Sequence, residues 1–172
     1  MTRSPRPPIR RPSATSCGGV AEVRSTTETP SASSSASRSV DRRAPIVLLD
    51  ANALILCARA TFPLEAEVER LVGPARIAVP SSVLREIDVL LRRRIPEAAL
   101  ARALARRYAS IDSLGSGDDA ILQLAVERRA YVVTADRGLS DRLVNAGCDV
   151  LMPRDRDRLV RRAGRPRSAG NG

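Results

Sequence analysis

The chain has 172 residues, enough for one ordinary domain with tails and too few for two. Its formal charge of +10 lies at the ends: residues 1–44 hold 8 Arg against 3 acids, residues 153–172 hold 7 against 2, and between them 14 Arg meet 14 acids. There is no His, which excludes Ser-His-Asp and Cys-His catalysis and histidine metal ligation and leaves carboxylates as the available chemistry.

Residues 1–44 are rich in Ser, Pro, Thr and Arg without apolar periodicity, so they are expected to be a disordered tail. Arg10 and Arg11 precede no apolar segment, and we read no targeting signal. An alternative is that translation starts later, near Val40, leaving the tail out of the mature protein.

From Pro45 the pattern changes. Ile46 to Leu49 is a buried-type strand that stops at Asp50, and Ala53 to Leu56 continues with helical character. A second helix is expected at about 64–72, ending at Gly73-Pro74, and Arg76 to Val79 is a short strand ending at Pro80. Ser81 or Ser82 is placed to cap the next helix, whose Val83, Leu84, Ile87, Leu90 and Leu91 recur at spacings of three and four. Glu86 sits in its opening turns, off that stripe.

Ile95-Pro96 breaks this helix, and another is expected over 97–108, with Leu100, Leu104 and Tyr108 on one face. Residues 111–114 read as a weak strand, followed by the Gly115-Ser116-Gly117 loop and a helix opening at Asp118. Tyr131 to Thr134 is a strand ending just before Asp136, 138–146 a helix, and Asp149 to Met152 a last strand. Residues 153–172 read as a polar, basic tail. Strands alternating with helices imply an α/β domain over 45–152, with a mainly parallel sheet flanked by helices and right-handed crossovers.

Asp50 and Asp136 each stand at or just past the carboxyl end of a strand, the edge where open parallel sheets gather their sites. Asp118 follows a glycine loop, and Glu86 can project toward the same edge. Clustered carboxylates repel, and a cation resolves the conflict. Oxygen donors without His or Cys select a hard ion, Mg²⁺ or Mn²⁺. Such a metal lowers the pKa of a bound water and steadies charge on an attacked phosphate, which is the chemistry of phosphodiester hydrolysis.

The segments IVLLDANALI, VPSSVLREIDVL, GDDAILQLA and YVVTADRGL, in that order, resemble the four motif segments of PIN-domain ribonucleases, over roughly residues 45–152. Within that family the chain looks most like the compact archaeal type related to ribosomal-RNA-processing nucleases, with VapC-type toxins as more distant relatives. The resemblance implies a single PIN-like domain and metal ligation by Asp50, Glu86, Asp118 and Asp136 as the catalytic acids. It also implies orienting roles for Asn52 and Thr134 and, more weakly, Ser82. Asp118 aligns better than Asp119, which is left as an auxiliary acid or a solvated first-turn residue.

The three cysteines, Cys17, Cys57 and Cys148, form no CxxC pair, so neither a zinc set nor a disulfide framework is expected. Cys57 and Cys148 read as small buried hydrophobes, and a reducing, cytoplasmic location fits. No apolar run approaches the roughly 20 residues of a membrane span.

With only Phe62, Tyr108 and Tyr131 as aromatics, a base-stacking platform is not available, and RNA would be held through its phosphates. Candidate contacts are Arg85, Arg92, Arg93, Arg94 and Arg137, although Arg92 to Arg94 read equally well as a solvated helix face. The expected activity is a Mg²⁺- or Mn²⁺-dependent endoribonuclease. The alternatives are a noncatalytic RNA-binding or assembly module, and a toxin ribonuclease paired with an antitoxin encoded elsewhere. The apolar content of residues 53–57 and 64–72 also offers a surface for homodimer formation.

Overall fold

The computed structural model describes residues 44–60, 62–155 and 157–165. The expected disorder of residues 1–43 and the position of Cys17 lie outside the described residues. In chain order the elements are β1 (Ile46–Leu49), α1 (Ala51–Ala60), α2 (Leu64–Val72), β2 (Arg76–Pro80), α3 (Ser81–Arg92), α4 (Pro96–Ala105), β3 (Ala109–Ile111), α5 (Gly117–Arg128), β4 (Tyr131–Val133), α6 (Arg137–Asn145), β5 (Val150–Pro153) and β6 (Leu159–Arg162).

The strands form one sheet in the order β3-β2-β1-β4-β5-β6, parallel except for the β5–β6 pair. This is the expected α/β architecture. The central strands carry continuous apolar runs because helices cover both of their faces. Val47, Leu48, Leu49, Val132, Val133, Val150 and Leu151 are all fully buried. Cys57 and Cys148 are also buried, as expected. Strand order reverses direction between β1 and β4, and the carboxyl ends of the strands at such a switch point are where doubly wound sheets bind ligands.

Four expectations are corrected. Neither Ser81 nor Ser82 caps α3; Pro80 holds the cap position, and Ser81 instead exchanges hydrogen bonds with Ser113, whose N–H donates to its Oγ at 3.0 Å. Helix α4 ends at Ala105, and β3 begins at Ala109 rather than 111. The buried stripe of α4 is Ala98, Ala101 and Ala105, while Leu100 faces solvent, because small side chains let α4 approach α1 closely. Of the apolar residues in 53–57 and 64–72, Ala53, Leu54, Cys57, Leu64 and Val68 lie in the domain's own core, whereas Ile55, Leu71 and Val72 are only partly buried against it.

The fourth correction concerns the segment read as a basic tail from residue 153. It contributes β6, an antiparallel edge strand whose Leu159 is 1% exposed. Glu67 and Arg70 of α2 grip the start of this strand: the Leu159 N–H donates to Glu67 Oε2 at 2.8 Å, and Arg70 Nη2 donates to the Leu159 carbonyl at 2.9 Å. Beyond it, Gly164 passes so close to the turn after α6 that a Cβ there would lie 2.4 Å from the Gly147 carbonyl carbon. Only backbone movement relieves such a clash. Gly164→Ala is therefore expected to lower stability by about 1–3 kcal/mol. A urea midpoint equal to the parent's would mean that this close approach is absent.

Candidate functional site

Asp50 is the best-defined acid. Its N–H continues the ladder by donating to Val133 O at 3.1 Å, and its carbonyl accepts from Leu54 N–H at 3.0 Å to open α1. The carboxylate thus hangs at the junction of strand and helix, 4% exposed. The Ala51 N–H donates to Oδ1 at 2.7 Å, and the Thr134 hydroxyl donates to Oδ2 at 2.8 Å. Thr134, itself fully buried, accepts in turn from the Asp136 N–H at 3.0 Å. One hydroxyl therefore fixes both the orientation of the first acid and the backbone at the last.

Burial pushes the Asp50 carboxyl up to about 6, and the nearby charges of Glu86 and Asp118 push the same way, against the lowering hydrogen bonds from Thr134 and Ala51. Glu86, in the second turn of α3, is also raised, by partial burial and then by Asp118. These mutual effects bring three of the four expected acids into one electrostatic neighbourhood. Asp136 is positioned by its own contacts. It is the N-cap of α6, its Oδ1 accepting from Leu139 N–H at 3.0 Å, and it joins the others through Thr134.

The first turn of α5 is set by the preceding loop, where Gly115 and Gly117 take positive φ angles of 79° and 62° that side chains rarely adopt. Arg85 steadies this loop by donating from Nη2 to the Gly115 carbonyl at 2.7 Å, so its guanidinium is already committed in part. Arg142 of α6 reaches across, with Nη1 3.8 Å from Asp118 Oδ2 and Nη2 bonded to Asp119 Oδ1. Asp119 is the more solvated of the two, with 84% of its side chain exposed against 49% for Asp118. Only Asp118 acts on Asp50 and Glu86.

Asn52 is exposed, and among the described residues the hydrogen bonds to Asp50 come from Ala51 and Thr134, so Thr134 performs the orienting that was expected of both. Ser82 is buried, and its Oγ has no hydrogen-bond partner. It lies four residues before Glu86, on the same face of α3. Arg92, Arg93, Arg94 and Arg137 are exposed. Sequence reasoning missed Arg142 and Ser113. Neither carries a local signal, since each acts on a residue more than 20 positions away.

A family profile described as "PIN like domain" matches residues 47–156. The chain belongs to the PIN-like domain family. The resemblance of its four segments to PIN-domain ribonucleases is thereby borne out. Among solved structures, this PIN-like domain is similar to the structure of the PIN domain endonuclease Utp24, at 19% identity and a TM-score of 0.58, over 69% of this chain and 92% of that one. No curated protein matches the sequence.

Whether the PIN-like domain's acids suit a metal can be judged from the donors themselves. They are oxygen-only, two of them carry raised pKa values that a cation would relieve, and one turn before Glu86 the buried Ser82 hydroxyl has no hydrogen-bond partner. The set fits a hard divalent ion in kind. Among the described residues, however, no three acidic, His or Cys side chains stand close enough to form a ready ligand group.

Proposed function

We propose that this PIN-like domain is a metal-dependent endoribonuclease in which Asp50, Glu86, Asp118 and Asp136 hold Mg²⁺ or Mn²⁺ at the switch point of the sheet. The reading rests on one observation above the others: a carboxylate buried at the end of β1, fixed by Thr134 and pushed toward protonation by burial and by two neighbouring acids. A group so costly to ionise without a partner is the kind found at functional sites. When bound, the metal would supply an activated water and charge stabilisation at the attacked phosphate.

The chain's own residues do the rest. Thr134 holds Asp50 in one rotamer and the Asp136 backbone beside it. Arg85 fixes the loop that presents Asp118, and Asn52, Asp119 and the exposed Arg92, Arg93 and Arg137 line the approaches as auxiliary polar or phosphate-facing groups. A role in RNA processing, like that suggested for the archaeal branch the sequence resembles, suits this reading better than a toxin role, which needs an antitoxin. No helix among the described residues is long and apolar enough to cross a membrane, and a cytoplasmic site of action is part of the proposal.

A second reading, a noncatalytic RNA-binding or assembly module, is favoured by one specific observation. Arg142 is already engaged with Asp118 and Asp119, at acids that form no ready ligand group among the described residues. Labelled single-stranded and structured RNAs incubated with Mg²⁺, Mn²⁺ or EDTA separate the two. Endonucleolytic products with either metal and none with EDTA are expected, whereas RNA binding without cleavage in any metal would replace the nuclease with the module.

A further inference from the structure

Beside the acids, a groove of about 680 Å³ runs between the start of α6 and the β5–β6 pair. Ala135 and Arg137, on either side of Asp136 in the chain, line it, so the groove lies next to that acid. Its floor is apolar, with Met152 and Val160, and its rim carries Arg137, Arg154 and Arg162 against a single acid, Asp141.

That acid is already answered, because Arg162 Nη2 donates to Asp141 Oδ1 at 2.7 Å. Arg162 Nη1 also donates, at 2.6 Å, to the Oγ of the fully buried Ser140. Its guanidinium is thus held in place before any partner arrives, which lowers the entropy lost on binding. Arg154 projects at the hairpin, where its N–H donates to the Arg158 carbonyl at 3.0 Å and so fixes the turn. The acids of that turn, Asp155 and Asp157, are not among the groove's lining residues.

Spaced guanidiniums over an apolar floor suit a polyanion that also has flat apolar faces. A duplex presents phosphates to a protein but keeps its bases stacked inside, whereas a single strand can lay bases on Met152 and Val160 while its phosphates meet the arginines. We propose that this groove is the track for the single-stranded RNA flanking the scissile phosphate, on the β6 side of the acids. The inference rests on the nuclease reading for its direction, and its test is independent of cleavage.

The experiment measures binding of a fluorescent 12-nucleotide single strand, and of the same sequence as a blunt duplex, to the full chain in EDTA at several salt concentrations. Arg154→Glu is compared with Arg128→Glu, which makes the same charge change at an exposed position in the last turn of α5, outside the groove and at the far end of that helix from Asp118. Arg154→Glu is expected to weaken single-strand binding about tenfold and to flatten the salt dependence by roughly one phosphate contact. Arg128→Glu should change affinity less than about twofold. A 4-thiouridine strand should crosslink to residues 152–160, a readout that does not depend on any variant folding. Equal effects of the two variants, equal binding of duplex, crosslinks elsewhere, or no RNA binding by the parent would each overturn the groove. Cleavage by the parent would still decide the nuclease reading separately.

Discussion

Asp50→Asn is expected to stabilise the metal-free protein at neutral pH while removing its response to metal. The Asp50 carboxyl is held at about 6 in the folded chain against a model-compound value of 3.8. A raised acid favours folding fully only below its unfolded value, and that contribution is lost as pH rises through about 6. The shift corresponds to about 3 kcal/mol of disfavoured ionisation at pH 7. Asparagine removes the charge but accepts only one of the two hydrogen bonds made by Ala51 and Thr134, at a cost of about 1 kcal/mol.

Relief of the charge outweighs the lost bond, leaving a gain of about 1–2 kcal/mol, or a melting temperature higher by roughly 3–8 °C. The gain should shrink below pH 4, where the parent's carboxyl is protonated in both states. Millimolar Mn²⁺ should raise the parent's melting temperature and leave the variant's unchanged, since only a state that binds ligand is stabilised by it. A variant less stable than the parent at pH 7 without metal would mean that the hydrogen bonds outweigh the burial of charge. The site would then be a structural polar network.

The second large effect lies at the other edge of the sheet. Ending the chain at residue 153 removes β6 and with it Leu159, whose loss from a packed core costs about 2–5 kcal/mol. It also strips Glu67 of the Leu159 N–H and Arg70 of the Leu159 carbonyl, about 1–3 kcal/mol more for a buried charged acceptor left short of a donor. Together these approach the whole stability of an ordinary domain, and β5 becomes an exposed edge prone to pairing with other chains.

The truncated protein is therefore expected to aggregate or to lose its cooperative melt, and Leu159→Ala in the full chain should melt well below the parent. The Glu67 carboxyl, held down to about 2 by the Arg70 guanidinium, has an unfolded value of 4.5. Its contribution is present above pH 4.5 and lost as pH falls toward 2, so the full chain should lose stability over that window. A truncated chain that melts within a few degrees of the parent would show that β6 is an ornament of the sheet.

What was legible in the sequence was whatever is local. Apolar runs that stop at an acid gave β1 with Asp50 and β4 with Asp136, and the glycine loop gave the start of α5, so the places of Asp50 and Asp136 past the carboxyl ends of β1 and β4 followed from the strand reading alone. Edge strand β6 was illegible because Leu159 to Arg162 is short, half arginine and set in a basic stretch; what orders it is a carboxylate on α2, 92 residues away. Leu100 misled the reading of α4, since periodicity marks apolar residues and the face that packs is made of alanine. Arg142 was invisible for a third reason: its tie to the α5 acids exists only once α5 and α6 are packed together.

The most direct test of the central claim is single-turnover cleavage of one labelled RNA by the parent, Asp50→Asn and Glu86→Gln, purified identically and assayed in Mn²⁺ and Mg²⁺. Loss of one metal-holding carboxylate removes several kcal/mol of transition-state stabilisation, so each variant should cut about a thousandfold more slowly while remaining folded. Cleavage by the variants at the parent's rate would contradict the account, because the cutting would then not belong to these acids.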